Sequence, residues 1–145
     1  MKALRRLEPL LNLHRLRRRV LKQLLAALRG QHEELFRKLE ALGLERARVR
    51  SWNSEKLSEG SQAGHSHMAE VWALAAERQA AELRTRMAEL ALQIEDANRR
   101  YVKASQDLKM LSTLQERRIA RERDLAAKRE QTELDEMASH CVAQS

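Results

Sequence analysis

The sequence is short of almost everything a globular core draws on. Aromatic residues make up 3% of its 145 residues, and it has one Pro, one Cys and four Gly. Leu and Ala supply most of the apolar content, which points away from a mixed α/β core and toward long helices or coiled coil. The single cysteine, Cys141, excludes an intramolecular disulfide and suits a reducing compartment. No apolar run reaches the roughly 20 residues of a membrane-spanning helix. A phosphate-cradling glycine loop and a Walker lysine are both missing, so no cofactor is expected. His14, His32 and His140 are dispersed, with no nucleophile or carboxylate at catalytic spacing. His65 and His67 are spaced to share a metal, but no third ligand is near in sequence, so a solvated loop is expected there and no metal site. The chain is not expected to be an enzyme.

What the sequence does have is charge and helical period. Asp, Glu, Lys and Arg make up 34% of it, for a net charge of +7. Residues 1–50 hold 14 Lys/Arg against 5 Asp/Glu, and the remainder holds 14 against 16. The basic excess therefore lies in the first third, where an acidic protein, nucleic acid or anionic lipid could each use it. The densest run is His14–Lys22, "HRLRRRVLK". No aromatics interleave with it, which disfavours stacking on single-stranded nucleic acid. The opening has the Arg and Leu of a mitochondrial presequence, but it carries Glu8 and Pro9, lacks Ser, and runs straight into the helical pattern.

Two amphipathic stretches follow. Leu13, Leu16, Val20, Leu24, Leu28, Leu35, Leu39, Leu42 and Val49 recur at helical spacing, and Leu10, Leu21, Leu25 and Phe36 widen the stripe. Pro9 is acceptable in a first turn, so the first helix is expected at about 9–50. The stretch Ser51–His67 holds five Ser, two Gly and an Asn, and reads as the loop, about 51–67. A second helix is expected at about 68–138. Within it Leu83, Met87, Leu90, Ile94, Ala97, Tyr101, Ala104, Leu108 and Leu111 alternate four and three apart. That is the seam of a left-handed coiled coil. The expected fold class is all-α, a single domain spanning 1–145: a long two-helix antiparallel coiled coil, or hairpin, with an extended C-terminal helix. Pairing Arg50 with Met68 places Leu4 opposite residue 114. From Leu114 on, the second helix is then expected to project alone for roughly 37 Å.

The terminal block "LQERRIARERDLAAKREQTELDEMA" carries a resemblance. Leu114, Gln115, Arg117 and Arg118, followed by Glu130, Gln131, Leu134, Asp135, Glu136, Met137 and Ala138, are similar to the C-terminal signature of the FliJ/YscO family. These are the stalk proteins of bacterial type III export, flagellar or virulence. "DEMA" leans toward the flagellar branch. The resemblance covers about 25 residues in detail; over the rest of the chain it lies in the two-helix architecture.

The resemblance implies a non-catalytic stalk that binds a hexameric export ATPase and the cytoplasmic domain of the export gate, coupling ATP hydrolysis to export. Export chaperones are further candidate partners. The implied setting is the bacterial cytoplasm, peripheral at the inner face of the inner membrane, and the chain alone is expected to be a monomer. Candidate ATPase contacts are the collar Arg15, Arg17, Arg18 and Arg19, and on the projecting helix Arg117, Arg118, Ile119, Arg121, Leu125, Leu134, Asp135, Glu136 and Met137. Candidate gate contacts are Met68, Val71, Trp72 and Ala75, since Trp is enriched at binding hot spots. The plainer reading of Trp52 and Trp72 is that they staple the loop end of the hairpin. The alternative functions are a general coiled-coil scaffold or chaperone escort, and a basic protein of nucleic-acid or membrane surfaces. No nucleic-acid partner is expected.

Overall fold

A computed structural model describes residues 2–60 and 63–144, with side chains over 7–60 and 67–144. Those residues form two helices, α1 (Lys2–Ser58) and α2 (Ala63–Gln144), which pack against each other as a helical hairpin. There is no strand among the described residues, and the fold is all-α as the periodicity predicts. Contacts group the chain into two compact units, each drawing on both helices. One unit is Met1–Val20 with Tyr101–Ser145; the other is Leu21–Arg100.

In the unit Leu21–Arg100, α1 buries or half-buries Leu21, Leu25, Leu28, His32, Leu35, Leu39, Leu42, Arg46, Val49, Asn53 and Lys56. The spacing alternates four and three without a break, so α1 carries a coiled-coil seam as regular as that of α2. From α2 the expected seam residues Leu83, Met87, Leu90, Ile94 and Ala97 all face inward. Nearer the turn, Leu42 packs with Ala76 and Ala80, and Leu39, Trp72 and Leu83 close around them. Small alanines opposite leucines let the two layers interdigitate.

In the other unit, Leu7 and Leu11 of α1 and Ala104 of α2 are buried. Tyr101, Leu108 and Leu111 are half-buried, as the α2 pattern predicts. Gln115 Nε2 donates to Glu8 Oε2 at 3.0 Å. The Arg18 guanidinium lies 5.7 Å from the centroid of the Tyr101 ring, within cation–π range.

Three expectations are corrected. First, Leu13, Leu16 and Val20 are exposed in one unit, and Leu24 is exposed in the other. The expected stripe stepped four residues three times running, from Leu16 to Leu28. Each step of four overshoots a full turn by about 40°, so such a stripe peels away from a partner helix. Half-buried His14, and Arg18, which is exposed but reaches across to Tyr101, interrupt the apolar line on the side that meets α2 and disguised the seam. Second, α1 runs on to Ser58 and α2 begins at Ala63, so most of the expected loop 51–67 is helix. The seam runs on through Asn53 and Lys56, and this packing overrides the weak helix propensity of Ser51, Ser54 and Ser58, which stay on the exposed side. The helix stops at Gly60, whose φ of 78° is left-handed. Its N–H donates to Leu57 O, and Glu59 N–H donates to Glu55 O, closing the last carbonyls. Third, α1 begins at Lys2 and passes through Pro9. Buried Leu7 and Leu11 hold the helix on both sides of the proline, which itself faces solvent.

Candidate partner-binding surfaces

Half-burial continues along α2 past Leu114. Gln115, Arg118, Ile119 and Glu122 are half-buried, so the fully exposed stretch begins beyond Glu122 rather than at Leu114. Every residue from 123 to 144 is exposed. Local pairs support this stretch: Asp124 with Lys128 at 3.6 Å, and Gln131 Nε2 donating to Asp135 Oδ1 at 3.1 Å. Each such pair adds only about 0.2–0.5 kcal/mol.

The candidate residues of α2 therefore divide. Arg118 and Ile119 face the hairpin, while Arg117, Arg121, Leu125, Leu134, Asp135, Glu136 and Met137 are exposed. Nine residues separate Leu125 from Leu134, which puts them about half a turn apart around the axis. Leu134 and Met137, three apart, share one side. The apolar groups of this stretch are thus distributed around it, and charged groups separate them. Glu133, Glu136, Met137, His140 and Cys141 border one shallow depression, and Leu125, Arg129 and Glu136 border another.

The collar also divides. Arg15, Arg17, Arg18 and Arg19 are all exposed. At about 100° per residue, Arg15, Arg18 and Arg19 share one side and Arg17 points to another. Arg15 Nη1 donates to Asn12 Oδ1 at 3.1 Å, and Arg18 reaches Tyr101 on α2.

Sequence reasoning missed a groove. Leu10 and His14 of α1 with Asp107, Met110, Leu111, Leu114 and Arg117 of α2 line a cavity of about 850 Å³, open to solvent and mostly apolar. Its signal was the presence of Met110 and Leu114 outside the heptad positions, beside a seam that had no room for them.

At the turn end, Met68, Val71 and Ala75 are exposed, and Trp72 is half-buried against the Leu42 cluster. Trp72 is therefore part of the packing. Trp52, Leu57 and Leu74 are also exposed and were not among the expected contacts. His67 is exposed, and the side chain of His65 lies outside the described residues, so their pairing does too. Among the described residues no group of His, Cys, Asp and Glu is placed to hold a metal. No helix among them is long and apolar enough to cross a membrane.

A family model described as the flagellar FliJ protein matches residues 1–145, the entire sequence. The chain belongs to the FliJ family. No match to a curated protein or to a solved structure was found. FliJ proteins are non-catalytic components of the flagellar export apparatus, and this chain is accordingly a component of that apparatus. The residues that carried the resemblance, Leu114–Ala138, straddle the point where α2 loses its partner helix.

Proposed function

We propose that this FliJ-family chain is the stalk of the export machine, coupling the hexameric export ATPase to the export gate. The observation that carries the reading is residues 123–144: six turns of helix, exposed on every side, with apolar groups on opposite faces. A lone helix of that composition is marginal in water. A surface occupied all round suits a ring that encloses it better than a partner on one side. Arg117 and Arg121, exposed just before this stretch, supply bidentate donors for acidic groups of the ring. Arg118 is turned toward the hairpin and positions the segment. The collar arginines lie farther along the shaft, where Arg15, Arg18 and Arg19 present one basic side to the ring's mouth.

The gate contact falls at the turn end, where exposed Met68, Val71 and Ala75 are joined by Leu74 and Trp52. Trp72 supports this patch from beneath. The apolar groove at Leu10, Met110 and Leu114 is the candidate seat for an export chaperone. The chain works as a monomer in the cytoplasm, peripheral at the inner membrane.

The test is truncation after Glu122. The truncated chain keeps its thermal midpoint within a few degrees, because every described residue removed is exposed, while stimulation of the purified export ATPase falls at least tenfold. Truncation after Ser112 is a poorer test, since it also deletes Gln115 and its bond to Glu8. Full stimulation by the chain ending at Glu122 would remove the basis for the stalk reading.

A further inference from the structure

The strip that left the seam has a chemistry of its own. Leu13, Leu16 and Val20 are 60%, 53% and 54% exposed. They recur three and four apart, so they form one line along α1. Arg17 follows Leu16 and Arg19 precedes Val20, which sets the two guanidinium groups about 100° off the line on opposite flanks. Between Glu8 and Glu33 the sequence has no acidic residue and six basic ones, Arg15, Arg17, Arg18, Arg19, Lys22 and Arg29. An apolar line with arginines on both flanks, on a stretch of helix that carries no acidic residue of its own, is the pattern of a helix that lies in a membrane interface. The arginine stems cover apolar surface while their heads reach outward to phosphate.

We infer that the outer strip Leu13–Leu16–Val20 of α1, with Arg17 and Arg19, binds an anionic lipid surface. The occupant is argued from charge complementarity and from shape. The strip belongs to one helix and is convex, so it meets a plane without reorganisation. A protein helix would find a better seat in the groove at Leu10, Met110 and Leu114, which has walls from both α1 and α2. The inference goes beyond the stalk reading: it concerns the chain without any ATPase, and either can fail while the other stands.

The test is flotation of the full chain with phosphatidylcholine vesicles, with and without phosphatidylglycerol. The chain floats with the anionic vesicles alone, and the binding weakens as salt screens it. Arg17→Gln with Arg19→Gln lowers the partition coefficient about 25-fold, at about fivefold per charge near an anionic surface. Leu16→Gln with Val20→Gln lowers it at least about tenfold, through lost burial of aliphatic groups. Circular dichroism of both variants matches the parent, since these side chains leave the seam intact. In a Cys141→Ser background, an environment-sensitive dye on Leu13→Cys shifts to the blue with anionic vesicles. Failure to float overturns the inference. So does flotation in which the Leu16→Gln, Val20→Gln chain binds as well as the parent and the dye does not shift, because that is adsorption by charge alone. If no vesicle binds and the same variant instead loses an acidic protein partner, the strip is a protein interface and the inference is wrong.

Discussion

Glycine has opposite meanings at different points of this chain. Gly60 ends α1 in a left-handed conformation that costs an L-residue about 1–2 kcal/mol. Gly30 and Gly43 lie inside the helix, and a Cβ added at either meets nothing within 4 Å. Urea unfolding should show Gly60→Ala destabilised by about 1 kcal/mol, and Gly30→Ala and Gly43→Ala each stabilised by about the same amount. A stabilised Gly60→Ala would show that the turn does not need that conformation. Trp72 makes a second case. Its packing against Leu42, Ala76 and Ala80 predicts that Trp72→Ala costs about 2 kcal/mol, below the range for fully buried aromatics because the indole is only half-buried. Val71→Asp should leave stability nearly unchanged and reduce gate binding. The reverse pattern would make Trp72 the contact and Val71 incidental.

Helix α2 was legible as an element and α1 only partly. The α2 seam from Leu83 to Leu111 can be read directly because every position is Leu, Met, Ile, Ala or Tyr. In α1 the inward line includes His14, His32, Arg46, Asn53 and Lys56, which a search for apolar residues passes over. Meanwhile Leu13, Leu16 and Val20 offered a false line on the outer side. The loop was overestimated for a related reason. Serine-rich composition marks weak propensity, but packing on the seam carried both helices to within four residues of each other. The candidate surfaces were legible where exposed helix meets charge, at Arg121–Met137. They were hidden where two helices jointly form a groove, since no single stretch of sequence contains it. The element boundary has its own test. Amide exchange in the isolated chain should be fast over 123–144 and protected over 101–122, with the change near Glu122. Protection continuing to Met137 would require a partner for the terminal turns, such as a second copy.

For the molecule as a whole, the hairpin uses its own seam: the most buried residues, Leu11 and Leu90, are already covered within the chain. Sedimentation equilibrium should therefore give a mass near 16.8 kDa across a wide concentration range. A mass twice that, persisting on dilution, would mean that a second chain covers the exposed line of α1 or the groove. The order in which the hairpin forms follows from which residues meet. Leu42 and Ala76, which pack together, are 34 positions apart in sequence, whereas Glu8 and Gln115 are 107 apart. Closing the shorter loop loses less chain entropy, and contacts between near neighbours form sooner. The hairpin should zip from the Gly60 turn toward the termini and come apart in the reverse direction. The contacts last to form and first to open then include the bond from Gln115 to Glu8, beside the segment assigned to the ATPase. A hairpin built this way can loosen near its termini while staying folded at the turn.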